Sequence, residues 1–208
     1  QLFKIFKLKR VVLLINFQIT ITKRNIEDMA ALVVAATCQL SGVNSIFYYA
    51  KQLFSDITDN DQLLSQQLMV GLALCQLVSC SYAGKFIDSF GRKYLLLRGQ
   101  LLLIFILGMM FLVDQSFVFL ANSHSLSVVA LIYIHIIVFN FTLGPICILY
   151  AAELVTNITP IIVTKRIVSL VVAMSTNFLI HKFGIGPLFL LYGVLSLVSY
   201  TYLKDRIR

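Results

Sequence analysis

Residues 39–49 read Gln-Leu-Ser-Gly-Val-Asn-Ser-Ile-Phe-Tyr-Tyr, QLSGVNSIFYY, and this stretch decides the fold because it sets polar groups inside an apolar helix that has no structural use for them. The preceding run, Met29–Thr37, is apolar up to its last residue. Gln39, Ser41, Gly42 and Asn44 then follow, with Phe47, Tyr48 and Tyr49 close behind. An amide left without a partner in hydrocarbon is costly, so such groups turn inward to another helix or to a wet cavity. Gln39 and Asn44 offer both donors and acceptors, which suits a polyhydroxylated ligand, and the rings offer flat apolar faces to its C–H side. Polarity alone leaves a second reading open, in which the two amides only bind helices together.

Outward from that stretch, the chain has 208 residues, 59% of them apolar, and a mean hydropathy of +0.90. A soluble domain is about 45–50% apolar, so the composition is that of an integral membrane protein. Cys38, Cys75, Cys80 and Cys147 lie in or beside apolar runs without CxxC or Cys/His spacing. Disulfide and zinc readings are therefore weak, and no metal or cofactor is expected.

The spans follow from the apolar runs. Met29–Ala50 is the first, and Gln52–Asp61, with Asp56, Asp59 and Asp61, reads as a short acidic loop. Leu63–Gly84 is the second span and Leu95–Val113 the third. Gln115–Ala152 contains no Asp, Glu, Lys or Arg, and the polar ANSHS at 121–125 divides it into a loop and a fourth span, Ser127–Ala152. Ile167–Ile180, starting as early as Ile161, is the fifth, and Phe183–Leu203 the sixth. The expected fold is thus an all-α membrane protein of six transmembrane helices over 29–203, with 204–208 as a tail. Before it, QLFKIFKLKR at 1–10 reads as a basic segment on the membrane surface. Val11–Ile21 is too short for the roughly 20 residues of a span, and no small-residue cleavage site follows it. The ITKRNIED stretch ending at Asp28 (an irregularity over 19–28) reads as an insertion, an exon-boundary error or a surface kink.

With the N-terminus inside, fifteen of the 17 Lys and Arg residues fall in cytoplasmic segments, and only Lys51 and Lys182 outside. This positive-inside bias puts both termini in the cytoplasm, and it accounts for the net charge of +8 without nucleic acid.

QLSGVNSIFYY resembles the helix-7 signature of the facilitative glucose transporters, the sugar-porter branch of the major facilitator superfamily, which reads roughly QQLSGxNxxFYY. The basic Leu-Phe stretch at the N-terminus resembles what precedes that helix. Cys38 stands where the family has its first Gln, so one amide expected to bond sugar is missing. Gln39 and Asn44 lie about 140° apart on a regular helix. Both can face one cavity if the lined sector is wide or if the helix breaks near Gly42, as transporter helices do at midplane. Asp88–Lys93, DSFGRK, resembles the family's D/E-x-x-G-R-R/K loop. Anchored on it, Gln76 falls where the family has a sugar-contacting amide in helix 8. Gly144–Glu153, GPICILYAAE, resembles the helix-10 run G-P-x-P-x-x-x-x-x-E, with Cys147 at the second Pro and Ile148 at the usual Trp. Pro145 kinks a helix and Gly144 permits close approach. STNF at 175–178, with Met174 at a Trp position, sits at a polar patch of helix 11.

The resemblance implies a monosaccharide substrate, bound by Gln39, Asn44 and Gln76 with Phe47, Tyr48, Gly144, Pro145 and Asn177. Asn177 also reads as a helix–helix hydrogen bond. It implies a conformational gate of Asp88, Gly91, Arg92, Lys93 and Glu153, in which Glu153 pairs with Arg92 and more loosely with Lys165 or Arg166. The same DSFGRK residues would also serve as a plain basic turn. His135 reads as a buried His satisfied by a neighbour. No acidic residue lies at midspan, which for this half favours uniport over proton coupling. The family's proton-coupling Asp lies in the other half.

Everything that matches belongs to the family's C-terminal half, and KDRIR ends where the family continues into P-E-T-K/R-G. The expectation is a transporter half in the plasma membrane, working with a missing N-terminal half, or a truncated fragment that transports nothing and only associates with full-length transporters. A channel is disfavoured by the lack of a TVGYG filter or an Arg-repeat sensor, and an enzyme by the lack of a nucleophile–base pair at midspan.

Overall fold

The computed structural model describes residues 28–58, 61–115, 121–154 and 158–206, and among these the regular elements are all α-helices. They are α1 (28–40), α2 (Val43–Ile57), α3 (Gln62–Phe90), α4 (Arg92–Gln115), α5 (Ala121–Phe141), α6 (Leu143–Leu154), α7 (Thr159–Phe183) and α8 (Gly186–Arg206). Among the described residues, six segments are long and apolar enough to cross a membrane: Asp28–Phe47, Gln62–Phe90, Arg92–Asp114, Ser127–Tyr150, Thr159–Phe183 and Gly186–Asp205. Eight helices give six spans because two spans are broken, α1/α2 at Ser41–Gly42 and α5/α6 at Thr142.

Local chemistry sets the boundaries. The Asp61 carboxylate caps α3, accepting from the Leu63 and Leu64 amides at 3.0 and 3.3 Å. Pro160 lies in the first turn of α7, where its missing N–H costs no helical bond.

Several expected boundaries are corrected. DSFGRK is a one-residue corner, in keeping with the basic-turn reading and shorter than a loop. Asp88–Phe90 close α3, Gly91 turns with φ +80°, and Arg92 and Lys93 open α4. Residues 121–125 form the first turns of α5, since Asn and Ser are at home near a helix start. The helix of α2 runs on to Ile57 into the expected acidic loop, because nothing from Gln52 onward is Gly or Pro. The fifth span starts at Thr159 and includes Lys165 and Arg166, and α8 runs through Lys204 and Asp205 of the expected tail. Residues 1–27, with the surface segment and the irregular 19–27, lie outside the described residues.

Side-chain packing forms two apolar cores. One gathers Ile46 and Phe54 of α2 with Leu72, Leu107, Met110, Ile132, Ile136, Val172, Phe189 and Tyr192. The other gathers Ala31, Val34, Ala35 and Cys38 of α1 with Ile87, Leu95, Leu96, Ile146, Cys147, Ile161 and Leu203. Both broken spans pass from one core to the other at their breaks. The first is the most enclosed, 67% of its window being buried against 17% for α3 and for α7. Outer faces of α3 and α7, such as Leu77, Met174 and Phe178, stay exposed, as suits helices bordered by lipid or further helices.

Candidate functional site

The site is built on the α1/α2 break. Gly42 adopts φ +81°, a left-handed conformation that side chains disfavour, and a Cβ there would come within 3.3 Å of the Tyr192 ring. A break in an apolar span frees carbonyls that must be satisfied by protein. Here the Ser41 carbonyl accepts from His135 Nε2 of α5 at 3.1 Å, which fixes that nitrogen as the protonated one. Ser196 Oγ of α8 donates to the Leu40 carbonyl at 3.4 Å, and Ser41 Oγ to the Cys38 carbonyl at 2.9 Å. Gln100 of α4 completes the support, donating from Nε2 to the Ser196 carbonyl at 2.9 Å. One turn further on, the hydroxyls of Ser45, Thr176 and Tyr192 bond one another at 2.7–2.8 Å, tying α2 to α7 and α8.

This geometry brings Gln39 and Asn44 to one wall despite their helical offset. Asn44 Nδ2 donates to Gln39 Oε1, and to Ser169 Oγ of α7 at 3.2 Å. Both amides line a cavity of about 360 Å³ with Cys147, Ile148, Ile161, Lys165 and Ser169. That volume and that mixture of an apolar wall with a few polar groups are typical of a small-molecule pocket. The bonds above use neither the Gln39 Nε2 donors nor the Asn44 Oδ1 acceptor, so both amides retain capacity for a hydroxylated guest.

The remaining substrate candidates lie elsewhere. Phe47 packs against the first core. The backbone of Tyr48 belongs to α2, and its side chain lies outside the described residues. Gln76 is half-buried on α3, away from the cavity lining, beside a polar contact in which Asn140 Nδ2 donates to Ser79 Oγ at 3.1 Å. Asn177 is exposed on α7, and its neighbour Thr176 points inward instead. Gly144 and Pro145 stand just after the α5/α6 break, where a Cβ on Gly144 would press on the Phe139 ring of its own span at 3.2 Å. That approach lies within one span.

Sequence reasoning missed Cys147, Ile148, Lys165, Arg166 and Ser169 as lining residues. The first two were visible as departures from the helix-10 run. The charged pair is placed by α7 starting earlier than its hydropathy suggests.

At the end of the bundle where α4 begins and α6 ends, Arg92 and Glu153 form an ion pair, with side chains 40% and 48% exposed. Asp88 and Lys93 are exposed on either side of the Gly91 corner. His135 is fully buried, and its Nδ1 has no partner among the described residues. Among those residues, no group of three or more His, Cys, Asp or Glu could hold a metal ion.

A family model described as "Sugar (and other) transporter" matches residues 17–204. The chain is 31% identical over 126 residues to the glucose facilitated diffusion protein of Zymomonas mobilis subsp. mobilis, covering 60% of this chain and 25% of that protein. It is 30% identical over 139 residues to sugar carrier protein A of Ricinus communis, covering 62% of this chain and 26% of that protein. Each match thus spans about a quarter of the relative's length. With six spans and this match over nearly its whole length, the chain is a multi-pass integral membrane protein belonging to the sugar (and other) transporter family.

Proposed function

We propose that the chain is the C-terminal six-helix half of a hexose transporter that works by alternating access as a facilitative uniporter, in the plasma membrane with both termini in the cytoplasm. The observation that carries this reading is the break at Gly42, which turns two amides five residues apart onto one pocket wall. A guest rich in hydroxyls satisfies such amides, and Lys165 and Ser169 add further donors. The other wall would come from a six-helix N-terminal half, since major facilitators bind substrate between repeats. The Arg92–Glu153 pair is the gate in this reading. It joins the corner at Gly91 to the end of α6, so rocking that separates them breaks it. Its partners in function are the sugar, the bilayer and that N-terminal half.

The test is hexose uptake by this chain alone and by the chain joined to the N-terminal half of a working hexose transporter. Saturable uptake by the hybrid, and none by the chain alone, is expected. A hybrid that reaches the membrane folded yet takes up no hexose would favour a fragment that only associates with other transporters.

A further inference from the structure

On the outer surface where α4 begins and α8 ends, a groove of about 690 Å³ is lined by Arg92, Lys93, Arg98 and Lys204, together with aromatic and leucine side chains. No Asp or Glu lines it. Arg92 is already paired with Glu153, which leaves three cations with no ion pair among the described residues. Arg98 lies over the Tyr94 ring at 5.5 Å, which steadies its guanidinium beside that ring in the groove wall. Deeper along α4, Leu97 and Leu101 continue the wall toward the apolar middle of the span, and Tyr200 of α8 faces them across the groove. From the end of α4 inward come Arg92 and Lys93, then Tyr94, then Leu97 and Leu101, with Arg98 between the leucines reaching back over the Tyr94 ring to join the cations.

That order matches a phospholipid, with phosphate at the cations, glycerol at the tyrosines and an acyl chain along the leucines. We propose that this groove binds one anionic phospholipid. Zwitterionic headgroups fit it less well, because their own ammonium is repelled by three cations that have no ion pair among the described residues. Basic pockets between membrane helices hold anionic headgroups on these grounds, each Lys or Arg adding to the attraction. Because Arg92 belongs both to this groove and to the Glu153 pair, a bound phosphate competes with Glu153 for the guanidinium. The proposal stands independently of the sugar site, since no residue is common to the two linings.

The test is native mass spectrometry of the full chain in detergent, titrated separately with dioleoyl phosphatidylglycerol, dioleoyl phosphatidylcholine and glycerol phosphate. Phosphatidylglycerol should bind as a single retained adduct at least tenfold tighter than phosphatidylcholine. Replacing both Arg98 and Lys204 by Ala should weaken it about thirtyfold, while the charge-keeping pair Arg98→Lys with Lys204→Arg should stay within threefold of the wild type. The same charge loss at the opposite end, Lys51→Ala with Lys182→Ala, should leave binding unchanged. Circular dichroism checks that each variant keeps its helix content. Equal binding of the two lipids, an equal loss in the opposite-end variant, or glycerol phosphate binding as tightly as the lipid would each overturn the assignment.

Discussion

At Ser41–Gly42 the chain breaks a span through a positive φ, and the freed carbonyls draw His135 from α5 and Ser196 from α8. At Thr142 the other broken span satisfies itself. The Thr142 amide bonds the Phe139 carbonyl at 3.2 Å and its hydroxyl the Val138 carbonyl at 2.7 Å, while Pro145 contributes no N–H to the ladder. The first break gathers polar groups from several helices around a cavity. The second is closed over by a neighbour, since any Cβ on Gly99 of α4 would collide with the Thr142 side chain. A break in a membrane helix is thus not in itself a site. It becomes one where other elements bring polar groups to it.

The largest expected effects are steric and fall on both breaks. Gly42→Val forces a β-branched residue into left-handed backbone, a cost of about 1–3 kcal/mol before the crowding of Tyr192 is counted. Gly99→Val must displace the backbone at Thr142, since that contact involves the whole side chain. Both should lower the thermal midpoint in detergent by several degrees or prevent folding. A Gly42→Val protein with a wild-type midpoint would show that the break is dispensable.

Next in size is His135→Leu, which strands the Ser41 carbonyl at about 1–3 kcal/mol, offset in part by removal of the unpartnered Nδ1. Thr142→Val, which removes only a bond within its own span, should cost about 1 kcal/mol or less. The contrast between the two breaks is lost if Thr142→Val proves the more damaging in the same melting assay.

Much of this was legible in the sequence. Six apolar runs give six spans, and in QLSGVNSIFYY the offset of about 140° between two useful amides left a wide lined sector or a break near Gly42 as the ways to share one cavity. What was not legible depends on neighbours distant in the chain. Nothing in the spacing of His135 or Ser196 says that they satisfy carbonyls near residue 41, because helix rotation sets that contact. The inward turn of Thr176 in place of Asn177 is likewise a question of which face α7 presents. The turn at Gly91 was legible, since a glycine flanked by charges between two apolar runs suits a tight corner between helices.

Smaller effects concern the gate and the topology. An exposed ion pair contributes about 0–1 kcal/mol, so Arg92→Ala should hardly move the melting midpoint. In the hybrid transporter it should change the maximal uptake rate more than the substrate constant, because in the proposed mechanism the pair forms in one conformation and breaks in the other. A pure change in substrate constant would remove Arg92 from the gate. Labelling of single cysteines, in a chain freed of its four native ones, should reach position 89 only from the cytoplasmic side and position 61 only from outside. Reversed labelling would invert the topology.

If Gln39 and Asn44 bind a sugar beside the break, as proposed, the hexose concentration at half-maximal uptake must respond in the hybrid carrying Gln39→Leu or Asn44→Leu. A neutral hydrogen bond is worth about 0.5–1.5 kcal/mol, and 1.4 kcal/mol is about tenfold in affinity. Each substitution should therefore raise that concentration from severalfold to about tenfold, with Ile46→Leu as the silent control. Unchanged values in both variants, with normal membrane folding, would make the amides a bond between helices with no part in holding sugar.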